Sequence, residues 1–146
     1  LNLDLSDAPD IAQTIAVSCL GLQIPCDLTG LHTLKTKETD RLVALQNEIK
    51  KLGSTVEITD NSLYLNPPTA LNSKVNIATY NDHRMAMCFA LLGLKVPGMR
   101  LRDPDCVKKT FPNFFQKLAA APPAGLGAEI RDAAGRRLAG EDLFAA

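Results

Sequence analysis

The stretch ETDRLVALQNEIKKLGSTVEITDNSLYLNPP (residues 38–68) contains the clearest secondary-structure pattern in the chain. Four of its apolar residues recur at helical spacing and fall on one face: Leu42, Leu45, Ile49 and Leu52. Gly53 then supplies a C-terminal stop. Residues 54–68 contain apolar side chains on both sides of Asp60-Asn61-Ser62, a pattern typical of a β-hairpin. The stretch therefore predicts a helix over residues 38–53, followed by two short strands.

The flanking segments extend this pattern to an alternation of strands and helices. Strands are predicted at residues 1–5 (with one buried face), 24–30, 75–80 and 97–103, and helices from about residue 9 to 21, at 82–95 and at 112–119. This order is typical of α/β layers. At three points a strand is followed by a polar loop and a helix that begins on charged residues. The three starts are SDAPD (6–10), KTKETDR (35–41) and YNDHR (80–84).

Length and composition limit the classes of function. The chain has 146 residues, of which 46% are hydrophobic, enough for one or two small cores. Its formal net charge of zero gives no support for binding to nucleic acid or to an anionic membrane. No apolar run approaches the roughly 18 residues of a membrane-spanning helix, and the N-terminus lacks the basic start of a signal peptide. Because Leu1 already lies within a strand pattern, we expect the chain to begin inside a fold.

The cysteine pattern bears on metals and on the cellular compartment. The four cysteines form no C-x-x-C pair, and the chain has only two histidines, so a zinc site is not expected. The thiols are scattered over apolar segments, as small core residues are in a reducing environment. We therefore expect a cytoplasmic protein.

The composition changes after residue 118. Residues 119–146 contain ten alanines and no lysine, whereas the preceding part uses lysine more often than arginine. This change predicts an Ala-rich tail, flexible or appended, that is foreign to the preceding domain. The alternative is a native helical extension, because the residues from 128 onward have some helical potential.

Cations at two predicted helix starts give the first indication of function. A helix N-terminus presents unpaired N–H groups and a partial positive charge of about half a unit, so cations there are unfavourable. Nevertheless, Lys37 and Arg41 lie at one start, and His83 and Arg84 lie at another. A phosphate or carboxylate ligand would resolve this conflict, because it would contact backbone amides and cationic side chains together. The two starts together favour an anion-binding cleft.

Ordinary structural roles remain open for several of these side chains. Lys37 and Arg41 could pair with Glu38 and Asp40 in a solvated charge cluster. Asp10 could simply cap a helix, which the helix dipole favours. No glycine-rich phosphate loop, serine nucleophile elbow or metal-ligand pattern appears in the sequence.

Four motifs together resemble one family, 5-enolpyruvylshikimate-3-phosphate synthase. They are DLSDAPDIAQTIAV (4–17), KTKETDRL (35–42), ATYNDHRMAMCFALLGL (78–94) and DPDCVKKTFPNFF (103–115), in the family's order. The resemblance spans residues 1–118 and corresponds to the C-terminal portion of the synthase, less than a third of its length. It implies an α/β fold of repeated βαβαββ units, the enolpyruvyl transferase fold. About two units of one domain would be present.

The resemblance also implies a reaction that needs no metal or cofactor. In it, the 5-hydroxyl of shikimate 3-phosphate adds to C2 of phosphoenolpyruvate while C3 is protonated. The tetrahedral intermediate then loses phosphate, and C3 is deprotonated to leave an enolpyruvyl ether. Both substrates are polyanions, which would account for cations at the helix starts.

The resemblance implies catalytic and substrate-binding roles for the residues of this chain that match the family's motifs. Asp10 matches the carboxylate that contacts the shikimate hydroxyls and is a candidate base for the 5-hydroxyl. Glu38 matches the acid near C3 of phosphoenolpyruvate; because a carboxylate between cations normally stays ionised, its acid role needs substrate-linked protonation. Lys37 matches a ligand on the shikimate-phosphate side. Thr33 lies where many relatives have an asparagine that touches shikimate 3-phosphate, so that contact is open.

The remaining matches are cationic and surround phosphoenolpyruvate in the family: Arg41, His83, Arg84 and Lys109. Such groups would stabilise charge that develops in the tetrahedral intermediate, and Lys109 is also a candidate catalytic residue.

The resemblance implies that much of the enzyme is missing from this chain. The family has two similar domains with the active site between them, and the N-terminal domain would be this chain's partner. We therefore expect no turnover from the chain alone. Two alternatives remain at this point: a relative of the transferase that acts on UDP-N-acetylglucosamine, and a non-catalytic folded fragment or fusion module. A missing unit should also leave sheet edges and helix faces uncovered.

Overall fold

The computed structural model describes residues 1–145, and strands alternate with helices along most of them. The strands and α-helices, in chain order, are β1 (Asn2–Asp4), α1 (Ala12–Leu22), β2 (Cys26–Thr29), α2 (Arg41–Lys51), β3 (Thr55–Ile58), β4 (Leu63–Asn66), β5 (Asn76–Ile77), α3 (His83–Leu92), β6 (Arg100–Leu101) and α4 (Phe114–Ala119). Short 3-10 helices lie at Pro9–Ile11, His32–Thr36, Pro104–Lys109 and Gly140–Leu143. The chain divides into two compact units, one ending at Asp103 and the other beginning at Pro104.

Residues 1–66 form one complete βαβαββ unit around a mixed sheet. The strand order is β1-β2-β4-β3. Strands β1 and β2 are parallel, which requires a crossover, and α1 supplies it. Strand β4 runs antiparallel to both β2 and β3, and the predicted hairpin joins β3 to β4. The predicted α/β class and its βαβαββ repeat are therefore confirmed.

The predicted apolar face of α2 forms part of the core. Leu42, Leu45, Ile49 and Leu52 are all 0% exposed. They lie in one hydrophobic cluster with residues of α1, β2 and β4. Burying a side chain of this size contributes about 1.5–3 kcal/mol, so this face is a major source of the unit's stability.

The predicted buried face of the first strand is wrong. All three residues of β1 are exposed, and Leu3 is 36% exposed. Burial begins only at Leu5, after the strand ends. Among the described residues, β1 is an edge strand that pairs with β2 alone, so its side chains keep more solvent contact than those of β2.

Residues 76–101 form a second, smaller βαβ arrangement. Strands β5 and β6 are parallel, with Asn76 opposite Arg100 and Ile77 opposite Leu101. Both strands are two residues long, shorter than predicted. Helix α3 connects them and packs against α1, with Met85 and Phe89 fully buried. The described part of the first compact unit therefore contains one complete repeat and the beginning of another.

The second compact unit contains α4, which confirms the helix predicted over residues 112–119. The rings of Phe111, Phe114 and Phe115 meet edge to face in succession, with centroids 5.5 and 5.1 Å apart. Farther along the chain, Leu143 and Ala145 are buried, and the Ala145 N–H donates to the carbonyl of Pro112. The origin of the Ala-rich tail stays a prediction. Within residues 1–145, no helix combines the length and apolar character needed to cross a membrane.

Candidate active site

Both cation-bearing helix starts carry an aspartate cap. Helix α2 begins at Arg41, three residues later than predicted, and Asp40 Oδ1 accepts a hydrogen bond from the Val43 N–H at 3.2 Å. Helix α3 begins at His83, and Asp82 Oδ1 accepts from the Arg84 N–H at 2.9 Å. Such a cap contributes about 1 kcal/mol, and its charge offsets the nearby cations. These cations therefore do not by themselves require a ligand.

The guanidinium of Arg41 is the centre of an ionic cluster. Its Nε lies 2.8 Å from Asp82 Oδ2, and its Nη2 lies 3.3 Å from Asp82 Oδ1, which makes a bidentate pair. Its Nη1 donates to Asp10 at 3.2 Å, and its Nη2 also donates to Glu38. Three carboxylates from three different segments therefore converge on one arginine.

Burial divides this cluster into an inner and an outer part. The side chains of Arg41 and Asp82 are 2% and 0% exposed. Those of Asp10 and Glu38 are 42% and 44% exposed. The solvated charge cluster considered from the sequence is therefore wrong for Arg41, which is buried, and for Asp40, which caps α2 instead of pairing with it. The pairing of Arg41 with Glu38 is confirmed.

Two further cations reach Asp10. The ammonium of Lys37 lies 3.4 Å from its carboxylate, and the Lys37 side chain is 33% exposed. The guanidinium of Arg84 donates to the Asp10 backbone carbonyl at 3.4 Å. His83, the first residue of α3, precedes Arg84 in the sequence and is half-buried. The helix start that contains Asp10 thus meets both of the other charged starts.

The remaining site residues predicted from the sequence are Thr33 and Lys109. Thr33 lies in the 3-10 helix His32–Thr36, and its hydroxyl is buried without a hydrogen-bond partner among the described residues. That burial does not favour direct contact between the hydroxyl and a ligand in this conformation. Lys109 ends the 3-10 helix Pro104–Lys109 of the second unit and is exposed. Its role stays a prediction.

Sequence reasoning missed the pairing role of Asp82. Its position directly before an apolar helix predicted a helix start, but its partner Arg41 lies 41 residues earlier in the chain. No spacing rule connects two residues that far apart. Among residues 1–145, no group of three or more histidine, cysteine or acidic side chains could hold a metal ion.

The cluster combines groups suited to acid–base chemistry with groups suited to anion binding. The three carboxylates of Asp10, Glu38 and Asp82 balance the three cations Lys37, Arg41 and Arg84. Its outer carboxylates can accept protons, and its outer cations can meet an anion. The fold and the cluster together define a class of α/β protein: it is built of βαβαββ units, and acidic and basic side chains from several helix starts lie in contact with one another.

Comparison with known proteins identifies the family. The model of the EPSP synthase (3-phosphoshikimate 1-carboxyvinyltransferase) family matches residues 1–118, and the chain belongs to this family. It is 43% identical over 124 residues to the 3-phosphoshikimate 1-carboxyvinyltransferase of Burkholderia multivorans, a match that covers 85% of this chain and 29% of the relative. It is 44% identical over 121 residues to the enzyme of the same name from Nitrosomonas europaea, covering 82% of this chain and 28% of the relative.

A solved structure supports the same assignment. The EPSP synthase of Acinetobacter baumannii matches with a TM-score of 0.69 and 25% sequence identity, over 82% of this chain and 28% of that one. The chain therefore spans less than a third of the length of the relatives it matches.

Proposed function

We propose that this chain forms part of an enzyme that transfers the enolpyruvyl group of phosphoenolpyruvate to the 5-hydroxyl of shikimate 3-phosphate. The O–H bond of that hydroxyl breaks as its oxygen bonds to C2, and C3 gains a proton. Phosphate then leaves C2, and C3 loses a proton to give the enolpyruvyl ether. The relatives' names support this reaction over transfer to UDP-N-acetylglucosamine. The product would serve aromatic amino-acid biosynthesis by the shikimate pathway.

The observation that carries the proposal is the convergence of Asp10, Glu38 and Arg41. They come from separate segments, and both carboxylates bond the same guanidinium. Since both carboxylates are more than 40% exposed, a ligand can reach them. We assign Asp10 to the 5-hydroxyl proton and Glu38 to the C3 proton. Their shared bonds to Arg41 would hold the two groups at a fixed separation.

The cations would divide between the two substrates. Lys37, beside Asp10, would bind the shikimate phosphate. Arg84 and His83, at the start of α3, would meet phosphoenolpyruvate. Lys109 is assigned to phosphoenolpyruvate as well, on the family resemblance alone. Arg41 is buried and already bonds three carboxylates, so we assign it to positioning Asp10 and Glu38.

The rest of the enzyme would complete the site. The chain spans about 29% of its relatives, so the remaining portion is its proposed partner. No nucleic acid or membrane partner is proposed, given the net charge of zero. Buried thiols at Cys19, Cys26 and Cys88 support a reducing cytoplasm as the location.

Calorimetric titration of the chain with phosphoenolpyruvate tests the proposal. Arg84→Ala should weaken binding about tenfold, the effect of losing one charge-assisted hydrogen bond. The matched control is Lys50→Ala, which removes an exposed cation from α2. Equal affinities for both variants would refute the assignment of Arg84. Tighter binding of UDP-N-acetylglucosamine than of shikimate 3-phosphate would refute the proposed acceptor.

A further inference from the structure

Glu48, which lies on α2 two helical turns beyond Arg41, is a second buried acid in addition to Asp82. Glu48 is 1% exposed, although it is charged and lies on a helix whose other buried residues are mostly apolar. Its Oε1 accepts from the Ala78 N–H at 2.8 Å, and its Oε2 accepts from the Tyr80 hydroxyl at 2.6 Å. The ammonium of Lys51 also donates to Oε1. A buried carboxylate needs such partners, and Glu48 draws two of them from the loop that precedes α3.

Lys51 extends this contact to the strand before the loop. Its ammonium donates to the backbone carbonyl of Asn76 at 2.9 Å, in addition to its bond with Glu48. One turn of α2 therefore contacts three alternate residues of β5 and the loop that follows it: Asn76, Ala78 and Tyr80. Arg41 holds Asp82, the next alternate residue, from the start of the same helix.

The held loop has an unfavourable backbone. Tyr80 and Asn81 have φ angles of 58° and 52°, in the left-handed region that non-glycine residues rarely adopt. Such conformations cost free energy and persist only where surrounding contacts hold them. The loop ends at Asp82, whose N–H donates to the carbonyl of Thr79 at 2.9 Å. Immediately after it come His83 and Arg84.

We propose that Glu48 is a positioning residue that holds the Tyr80-Asn81 turn in its left-handed conformation and thereby presents His83 and Arg84 to the anionic substrate. Glu48 contacts no substrate itself. It acts through the Ala78 amide and the Tyr80 hydroxyl, and Lys51 neutralises its charge. This inference rests on the proposed function for its ligand, phosphoenolpyruvate. The stabilisation of the Tyr80-Asn81 turn by Glu48, by contrast, is a property of the chain without ligand.

Amide hydrogen exchange of the full chain, followed by NMR, tests the hold directly. The informative amides are those of Asp82 and Arg84, which Glu48 does not touch. In Glu48→Leu they should exchange about tenfold faster than in the wild type, the factor expected for one lost bond to a charged group. Glu48→Gln keeps an acceptor for Ala78 and a partner for Tyr80, so it should restore slow exchange. The matched control is Glu57→Leu, which replaces an exposed glutamate of β3.

Unchanged exchange at Asp82 and Arg84 in a folded Glu48→Leu chain would overturn the inference. If that variant does not fold, Tyr80→Phe decides, because it removes only the phenol contact. We expect it to accelerate exchange at the same two amides about threefold, and no acceleration would overturn the inference.

Binding separates this inference from the proposed function. Phosphoenolpyruvate should bind Glu48→Leu about tenfold more weakly than wild type, and Glu48→Gln within about twofold of wild type. A wild-type chain that binds no phosphoenolpyruvate, but shows the expected exchange pattern, would refute the proposed role of this chain in binding and leave the hold on the loop intact. Normal binding by Glu48→Leu would refute the positioning role alone.

Discussion

Removing Asp82 tests how the candidate site is held together. In Asp82→Ala, Arg41 would stay buried with two carboxylate partners instead of three, and both of those partners are more than 40% exposed. Breaking a buried pair by removing one partner costs about 3–5 kcal/mol. Because Arg41 keeps partial compensation, we expect the lower end, about 3 kcal/mol, and the lost α3 cap adds about 1 kcal/mol. The expected loss of unfolding free energy is therefore about 4 kcal/mol, a large part of a typical total of about 5–15 kcal/mol.

Asp40→Ala is the matched control, because Asp40 caps α2 as Asp82 caps α3 but does not pair with Arg41. It should cost about 1 kcal/mol. Since the chain has no tryptophan, urea unfolding would be followed by far-ultraviolet circular dichroism and by NMR signals of α2 and α3. Equal losses for the two variants would refute the stabilising role of the Arg41 pair.

A double variant separates the charge pair from the space it fills. Replacing Arg41 with Met and Asp82 with Leu removes both charges together, and buried pairs replaced in this way often lose little stability. We expect the double variant to be more stable than Asp82→Ala. Its loss should fall well below the sum of the two single-variant losses, because the residues are in contact. A loss equal to the sum would show that the two side chains act independently.

Further predictions concern thiols, pH and turnover. Burial, with a contribution from neighbouring Cys19, raises the pKa of Cys26 to about 12, so only about one Cys26 thiol in ten thousand is ionised at pH 8. Alkylation of Cys26 should therefore be far slower in the folded chain than in the chain unfolded by urea. Equal rates in the two states would contradict this. Burial, then the bond to Glu48, raises the pKa of Tyr80. The protonated Tyr80 hydroxyl therefore stabilises the fold fully below the ordinary tyrosine pKa of about 10, and this stabilisation is lost as pH rises through the pKa in the folded state. In Tyr80→Phe, the unfolding free energy should consequently fall less steeply with alkaline pH than in the wild type. An unchanged slope of unfolding free energy against pH would contradict this. The chain alone should release no phosphate in the presence of both substrates; release above that of Lys109→Ala would contradict this.

The sequence predicted the fold well because its main elements carry local patterns. The apolar spacing of α2 and the turn at Asp60-Asn61-Ser62 each depend on residues close in the chain, and both predictions are confirmed. The lengths of β5 and β6 were overestimated, because Tyr80, Gly98 and Asp103, which lie within the predicted spans, have left-handed backbones that a strand does not adopt. The burial of β1 was wrong because edge position is a property of the assembled sheet.

The site was predicted only in part. Motifs identified Asp10, Glu38 and Arg41, and the structure brings them together. Neither the burial of Arg41 nor its pairing with Asp82 could be predicted, because both depend on how α2 meets the loop before α3. A charged residue at the start of a helix ordinarily faces solvent, so the position of Arg41 gave no signal of burial.

Glu48 was missed for a related reason. Its spacing from Leu45 and Leu52 places it on the buried face of α2, which was a usable signal. A single acid at the margin of an apolar face is nonetheless usually solvated. Its partners Ala78 and Tyr80 lie about thirty residues later, beyond any helical spacing.

The central claim is that the three charged helix starts form a preformed half-site for polyanionic substrates. The most direct measurement is a heteronuclear NMR titration of the chain with shikimate 3-phosphate and then with phosphoenolpyruvate. We expect saturable shifts concentrated at Asp10, at Lys37–Arg41 and at His83 and Arg84. A well-dispersed spectrum that neither substrate changes would contradict the claim, because the chain would then be folded without a working half-site.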